Sequence, residues 1–301
     1  MGLAEEKKIT VLSVSYFSAF HLNRLFNNLT SKADNPETLQ FLVVDNTNGE
    51  DSDLHSYFVP GLDIQFISNS GKGYQRSVSH AWALDIGLKN SETEFILIVD
   101  PDVHVFKAGW DTFCLNRIAE NDSSVIGAPY PAWKLGKVHD YPSVVFMFFQ
   151  TKQVQAFEKS FYPFPPFLKR IWNSLMRKIT RLGILTSKSK LDKSERLRSI
   201  TGWLEEAIGI TSPDTGKEII ETFRSKGFTA VNFDAPYSRD LLRSDQKDQA
   251  DLAKEFELFV FEGEPIMTHM YGSGVFHWKT EKGSDLDHWQ ELITGIEKYL
   301  Q

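Results

Sequence analysis

The sequence predicts an α/β fold with a mostly parallel central sheet flanked by helices. Three observations predict it. Short apolar strands alternate with helical segments through the first half of the chain; one of them, Phe95–Val99, is apolar throughout; and each strand ends in small or polar residues. A short apolar run rich in β-branched residues suits a strand covered on both faces, as in parallel sheets. Ligands in such sheets bind at the carboxyl ends of the strands.

Taken in order, Ile9 to Ser15 reads as a first strand and Phe20 to Leu29 as a helix; Leu39 to Asp45 reads as a second strand. Strand, helix and strand within about 30 residues make the βαβ unit of a parallel sheet. Asp63 to Ser68 reads as a third strand, and Asn69-Ser70-Gly71-Lys72-Gly73 leads into a helix from Tyr74 to Leu88, with Val78, Ala81, Leu84 and Leu88 on one stripe. After the fourth strand come a helix near Gly109 to Ala119 and strands at Ser124 to Pro131 and Ser143 to Gln150. Further on lie Ile200 to Ile210, a helix ending near Lys226, a strand from Thr229 to Phe233 and a last helix from Asp287 to Leu300.

The apolar fourth strand runs directly into Asp100-Pro101-Asp102. Pro101 fixes its own φ and biases Asp100 towards an extended conformation, which restricts the geometry of the two carboxylates. Such a pair can bind a hard divalent cation that also takes phosphate oxygens. The same tripeptide is also good turn chemistry. With Ser13 and Ser15, Asp45 and Asn46, and the stretch Ser68 to Gly73, these residues outline a polar crevice able to hold a nucleotide. Gly71 and Gly73 before a helix could offer backbone donors to phosphate, with Arg76 as a phosphate or structural partner. The spacing fits neither G-x-G-x-x-G nor the P-loop, and a surface turn reads equally well.

Composition narrows the class. The net charge of -7 argues against a general nucleic-acid binder. The single Cys114 excludes an intrachain disulfide and a cysteine-rich zinc site. A charged N-terminal stretch without a signal-peptide pattern, and no run near 18 apolar residues, lead us to expect a cytoplasmic protein. A change of composition follows Phe161. Lys169 to Arg198 holds ten Lys or Arg against Asp192 and Glu195, as a helical insertion. Its plain reading is a solvated face; the functional reading is a mobile acceptor-side segment or a peripheral contact at the inner face of the membrane through 161–198, with Phe167, Leu168, Ile171, Trp172, Leu175 and Ile179 as the apolar stripe. Asp214 reads as a helix N-cap or as an acid with a chemical role.

These motifs resemble those of GT-A fold glycosyltransferases and are similar to the inverting family 2. The resemblance is strongest from Thr10 to Val105. It rests on the first strand and helix, on Val43-Val44-Asp45-Asn46, and on the N-x-G-x-G segment followed by a helix and an apolar strand into Asp-Pro-Asp. It continues through Gly202 to Phe228 and fades near 155–199. It implies a single domain over 1–301, with a nucleotide-sugar-binding half at 1–125 and an acceptor-side half at 126–301 containing the insertion 155–199. It implies transfer of a hexosyl group (EC 2.4) from a nucleoside diphosphate sugar to a carbohydrate or lipid-linked acceptor, with inversion, in polysaccharide or glycoconjugate synthesis. Asp45 matches the position near base or ribose, Asp100 the ribose-side and Asp102 the metal-binding carboxylate for Mn2+ or Mg2+. His277 is the candidate third ligand and His269 the alternative. Asp214 lies where the family places its general base, with Glu206 and Glu205 as rivals, because the family's usual acidic pair is here Pro213-Asp214. A sugar nucleotidyltransferase and a non-catalytic sugar- or nucleotide-binding module share the scaffold and stand as alternatives.

Overall fold

The computed structural model describes residues 6–54, 56, 61–70, 76–183, 185–244, 246–270 and 286–300. In chain order the elements are β1 (Ile9–Ser15), α1 (Ala19–Lys32), β2 (Leu39–Asp45), β3 (Ile64–Ser68), α2 (Arg76–Asn90), β4 (Phe95–Val99), β5 (Val103–Val105), α3 (Trp110–Glu120), β6 (Ser124–Gly127), β7 (Phe146–Gln150), α4 (Thr151–Gln155), α5 (Phe167–Thr180), α6 (Lys188–Lys193), α7 (Glu195–Ile208), α8 (Lys217–Ser225), β8 (Thr229–Asn232), α9 (Ser238–Arg243), α10 (Lys247–Glu255), β9 (Glu257–Phe261), β10 (Glu264–His269) and α11 (Leu286–Leu300). They form two compact units. The first comprises 1–128, 141–163 and 215–232; the second comprises 129–140, 164–214 and 233–301.

The first unit is an α/β layer structure around a seven-stranded sheet of order β3-β2-β1-β4-β7-β6-β8. The pairs β3/β2, β2/β1, β1/β4 and β6/β8 are parallel, while β7 runs antiparallel to both β4 and β6. Every residue of β1 and β4 is buried, so the sheet is covered on both faces at its centre. Helices α1 and α2 pack on β1. A Cβ on Gly87 of α2 would lie 2.3 Å from Leu12 Cδ1 of β1, so a larger residue there requires the buried Leu12 side chain to shift. The strands predicted from β1 to β4 fall within one residue of their observed limits. The segment from Ser124 is shorter than expected. It ends at Gly127, whose φ of 150° and whose approach to the Phe146 carbonyl leave no room for a side chain.

The second unit is mainly helical. The sequence reading missed its antiparallel ribbon β9/β10, joined at Glu262 (φ 52°) and Gly263 (φ 88°). Two successive positive-φ residues make the turn whose twist suits a hairpin. The basic stretch folds as α5, α6 and the start of α7, and part of it is structural, not solvated. Arg198 donates to the Leu191 and Asp192 carbonyls, both at 2.7 Å, and to Asp240 Oδ2 at 2.6 Å, and lies over the Tyr237 ring at 3.6 Å. Lys188 donates to the Phe256 carbonyl at 2.5 Å and sits over the Trp133 ring; burial pushes its amine down to about 8. Among the described residues no helix is long and apolar enough to cross a membrane.

Candidate active site

The carboxyl ends of β1, β2 and β4 carry the polar residues of the first unit. Asp45 closes a turn on itself. Its Oδ1 accepts from the Thr47 amide at 2.8 Å and the Thr47 hydroxyl at 2.6 Å, and its Oδ2 from the Gly49 amide at 2.8 Å. Asn46 then ties three elements together, donating to Ser79 Oγ of α2 at 2.8 Å and accepting from Asn69 Nδ2 after β3 at 2.7 Å. Ser15 is fully buried; its carbonyl accepts from the Asn46 amide at 2.9 Å and its hydroxyl from the Ser18 amide at 3.4 Å. This fixed array positions the loop after β2 relative to β1 and α2.

Asp100 leaves β4 with its amide donating to the Val145 carbonyl at 3.1 Å. Its Oδ1 lies 3.8 Å from His80 Nε2 of α2. Pro101 and Asp102 form a turn, so the turn reading and the paired-carboxylate reading describe one local structure. Asp102 is buried, with 4% of its surface exposed. It faces a polar stripe of α1 that the sequence reading did not single out. Arg24 Nη2 donates to the Val103 carbonyl at 2.5 Å, and Asn28 brackets Val105, donating to its carbonyl at 3.0 Å and accepting its amide at 2.7 Å. The spacing of His21, Arg24 and Asn28 places them on one face of α1, and that spacing inside a helix with an otherwise apolar stripe (Leu22, Leu25, Phe26, Leu29) was the available signal.

The electrostatics follow from this packing. Burial drives the Arg24 guanidinium down to about 10, against the opposing pull of Asp102, and leaves it a cation at neutral pH. Burial likewise lowers His21, with Arg24 adding to the shift and Asp102 opposing it, which favours a neutral imidazole. Gly71 and Gly73 lie outside the described residues; Arg76 begins α2, and its side chain lies outside the described residues too.

The other candidates belong to the second unit. Asp214 is not a helix cap, because α8 starts after Gly216, whose φ is 91°. Instead it forms an ion pair with Lys137, whose amine is lowered by burial and raised by Asp214. Glu205 Oε1 accepts from the Gly136 amide and from His139 Nε2 at 3.1 Å. Burial opposes the charge on His139, but the Glu205 and Tyr130 hydrogen bonds outweigh it and raise its pKa. Glu206, one residue on, is exposed. His277 lies outside the described residues, whereas His269 ends β10 fully buried, its Nδ1 2.9 Å from Glu257 Oε2. Glu257 also pairs with Lys134 at 2.5 Å; burial disfavours its charge, yet Lys134 and His269 hold it below the usual carboxylate range.

No protein-family model matches the chain, and no curated protein matches it. Solved structures do. The mannosyltransferase PcManGT from Pyrobaculum calidifontis, in complex with GDP-Man and Mn2+, is 13% identical with a TM-score of 0.43, over 74% of this chain and 75% of that one. S. aureus TarS is 21% identical with a TM-score of 0.38, over 50% of this chain and 30% of that one. TarS 1-349 in complex with UDP is 20% identical with a TM-score of 0.38, over 50% of this chain and 49% of that one. The chain thus covers less than half the length of either TarS structure.

Proposed function

We propose that the protein is a GT-A-type glycosyltransferase that moves a hexosyl group from a nucleoside diphosphate sugar to an acceptor hydroxyl with inversion. The observation that carries this reading is the parallel run β3-β2-β1-β4, whose carboxyl ends bring Ser15, Asp45, Asn46, Asp100 and Asp102 to one edge of the sheet. Ligands of open α/β sheets bind at that edge. The donor half is 1–125 and the acceptor half 126–301.

Two hard oxygen donors on a turn suit Mn2+ or Mg2+, so Asp100 and Asp102 would hold the ion. For an imidazole ligand the sequence offers His269 or His277. When bound, the metal would act as Lewis acid and template for the diphosphate. The protein's own part is positional. Arg24 and Asn28 fix the backbone that follows Asp102, and Asp45 holds the loop expected beside the nucleoside. Asp214 is our first choice for the base that takes the acceptor proton, with Glu206 and Glu205 next.

Thermal shift with UDP, GDP, dTDP and CMP, each with and without Mn2+, on wild type and Asp102→Ala tests this reading. A ligand at 100 times its Kd stabilises by about 2.7 kcal/mol. One nucleotide is expected to give a Mn2+-dependent shift that Asp102→Ala abolishes, followed by release of that nucleotide during transfer. Binding without transfer to any acceptor would favour a non-catalytic binding module, and no binding at all would leave Asp-Pro-Asp a turn.

A further inference from the structure

Helix α5 is built inside out. Its buried residues are the polar Asn173 and Thr180, while Phe167, Leu168, Ile171, Trp172, Leu175 and Ile179 point to solvent, with exposures from 46% to 80%. Placed at 100° per residue, these six fall within a stripe of about 140° on the side away from Asn173 and Thr180. Water would not select this arrangement for an isolated globular surface, because large contiguous apolar patches are costly there. Arg170, Arg177 and Arg181 flank one side of the stripe, Lys169 flanks the other, and Lys178 lies within its edge. Helix α7 packs against α5 and adds Ile200 and Trp203, 41% and 66% exposed, on one face with Arg196.

We infer that α5, assisted by α7, is a docking face for an anionic lipid bilayer, with the aromatic and aliphatic stripe inserted at the headgroup boundary and the flanking cations on the lipid phosphates. Charge complementarity decides between a bilayer and a soluble partner. The chain carries a net -7, yet Lys169 to Arg198 holds ten basic residues against two acidic ones, eight of them besides the internally bonded Lys188 and Arg198. A basic, aromatic-bearing amphipathic helix with a low mean hydropathy lies in an interface and does not cross it. Each cation near an anionic surface strengthens partition by about fivefold.

Co-sedimentation with phosphatidylcholine vesicles, with and without phosphatidylglycerol, tests the inference. Wild type is expected to pellet at least tenfold more with the anionic vesicles and to be released by salt. Ile171→Glu with Trp172→Glu should lose that binding by more than tenfold. Lys169→Gln with Lys178→Gln should lose most of the preference for the anionic lipid. All four side chains are exposed, so the melting temperature should hold in each variant; Leu168→Glu, at the start of the helix, gives an independent check. Equal pelleting with both vesicle types, or unchanged binding by the glutamate variants, would overturn the inference. So would a concentration-dependent dimer in sedimentation velocity that Ile171→Glu with Trp172→Glu abolishes, since the face would then belong to a second copy.

Discussion

Arg24 of α1 donates its Nη2 hydrogen to the Val103 carbonyl at 2.5 Å, one residue past Asp102. A single buried cation thus both anchors the backbone of the Asp-Pro-Asp turn and sets the electrostatic surroundings of its second carboxylate. Replacing it should be felt in stability and in ligand binding together. A charge-assisted hydrogen bond contributes about 1.5–3 kcal/mol, so Arg24→Met is expected to lower the melting temperature by several degrees. It should also weaken the Mn2+-dependent nucleotide shift about tenfold in ligand concentration. Calorimetry with a nucleotide titration checks both.

The base assignment separates chemistry from binding. Asp214→Asn is expected to reduce single-turnover transfer by a factor on the order of 100 or more while keeping the nucleotide-induced thermal shift. Glu206→Gln should transfer at close to the wild-type rate. Transfer by Asp214→Asn at the wild-type rate would remove it from the mechanism and bring Glu205 and Glu206 forward.

The His139–Glu205 hydrogen bond predicts a pH dependence of stability. The folded pKa of His139 is raised above its ordinary 6.5. Its stabilising contribution is therefore complete below that value and is lost as pH rises through the folded pKa. Urea midpoints measured from pH 6 to pH 9 should fall over this window for wild type, with a shallower fall in His139→Gln.

Glu257 sits between Lys134 and His269, with side-chain exposures of 6%, 17% and 0%. Glu257→Gln removes the carboxylate that pairs with Lys134 in a poorly solvated place. Breaking such a buried pair costs about 3–5 kcal/mol, which urea unfolding of the variant should record. Because Glu257 and His269 face each other across β9 and β10, the loss should appear first as faster hydrogen exchange in that ribbon.

Gly87 and Leu12 should be coupled. The 2.3 Å approach to Leu12 makes Gly87→Ala an overpacking change costing about 1–3 kcal/mol. Leu12→Ala, costly alone through its cavity, makes room for the new methyl. The double variant is thus expected to lose less than the sum of the two single losses, as read from a double-mutant cycle.

The first half of the fold was legible because its signals are local. The all-apolar Phe95–Val99, the βαβ spacing and the polar strand ends follow from the composition of short windows, and β1 to β4 form where that pattern places them. The hairpin at Glu262-Gly263 also had a local signal, a glycine turn between two apolar runs, which the reading passed over. Of the two readings of Asp214, the helix cap fails, because Gly216, two residues on, takes the cap position with a left-handed backbone and no side-chain acceptor.

By itself, then, the sequence determined an alternating α/β chain with a carboxylate pair at the end of its most apolar strand, since periodicity and composition act over a few residues. Only the tertiary structure decided which groups surround that pair. Arg24 and Asn28 meet Val103 and Val105 across 79 and 77 residues of chain, Asp111 accepts the Asp34 and Asn35 amides across 77 and 76, and β7 enters antiparallel between β4 and β6. Those contacts form because buried polar atoms must find partners wherever the packed core brings them. Tertiary packing also set the orientation of α5: its polar Asn173 and Thr180 lie inward, and the apolar stripe that a core would ordinarily claim faces out.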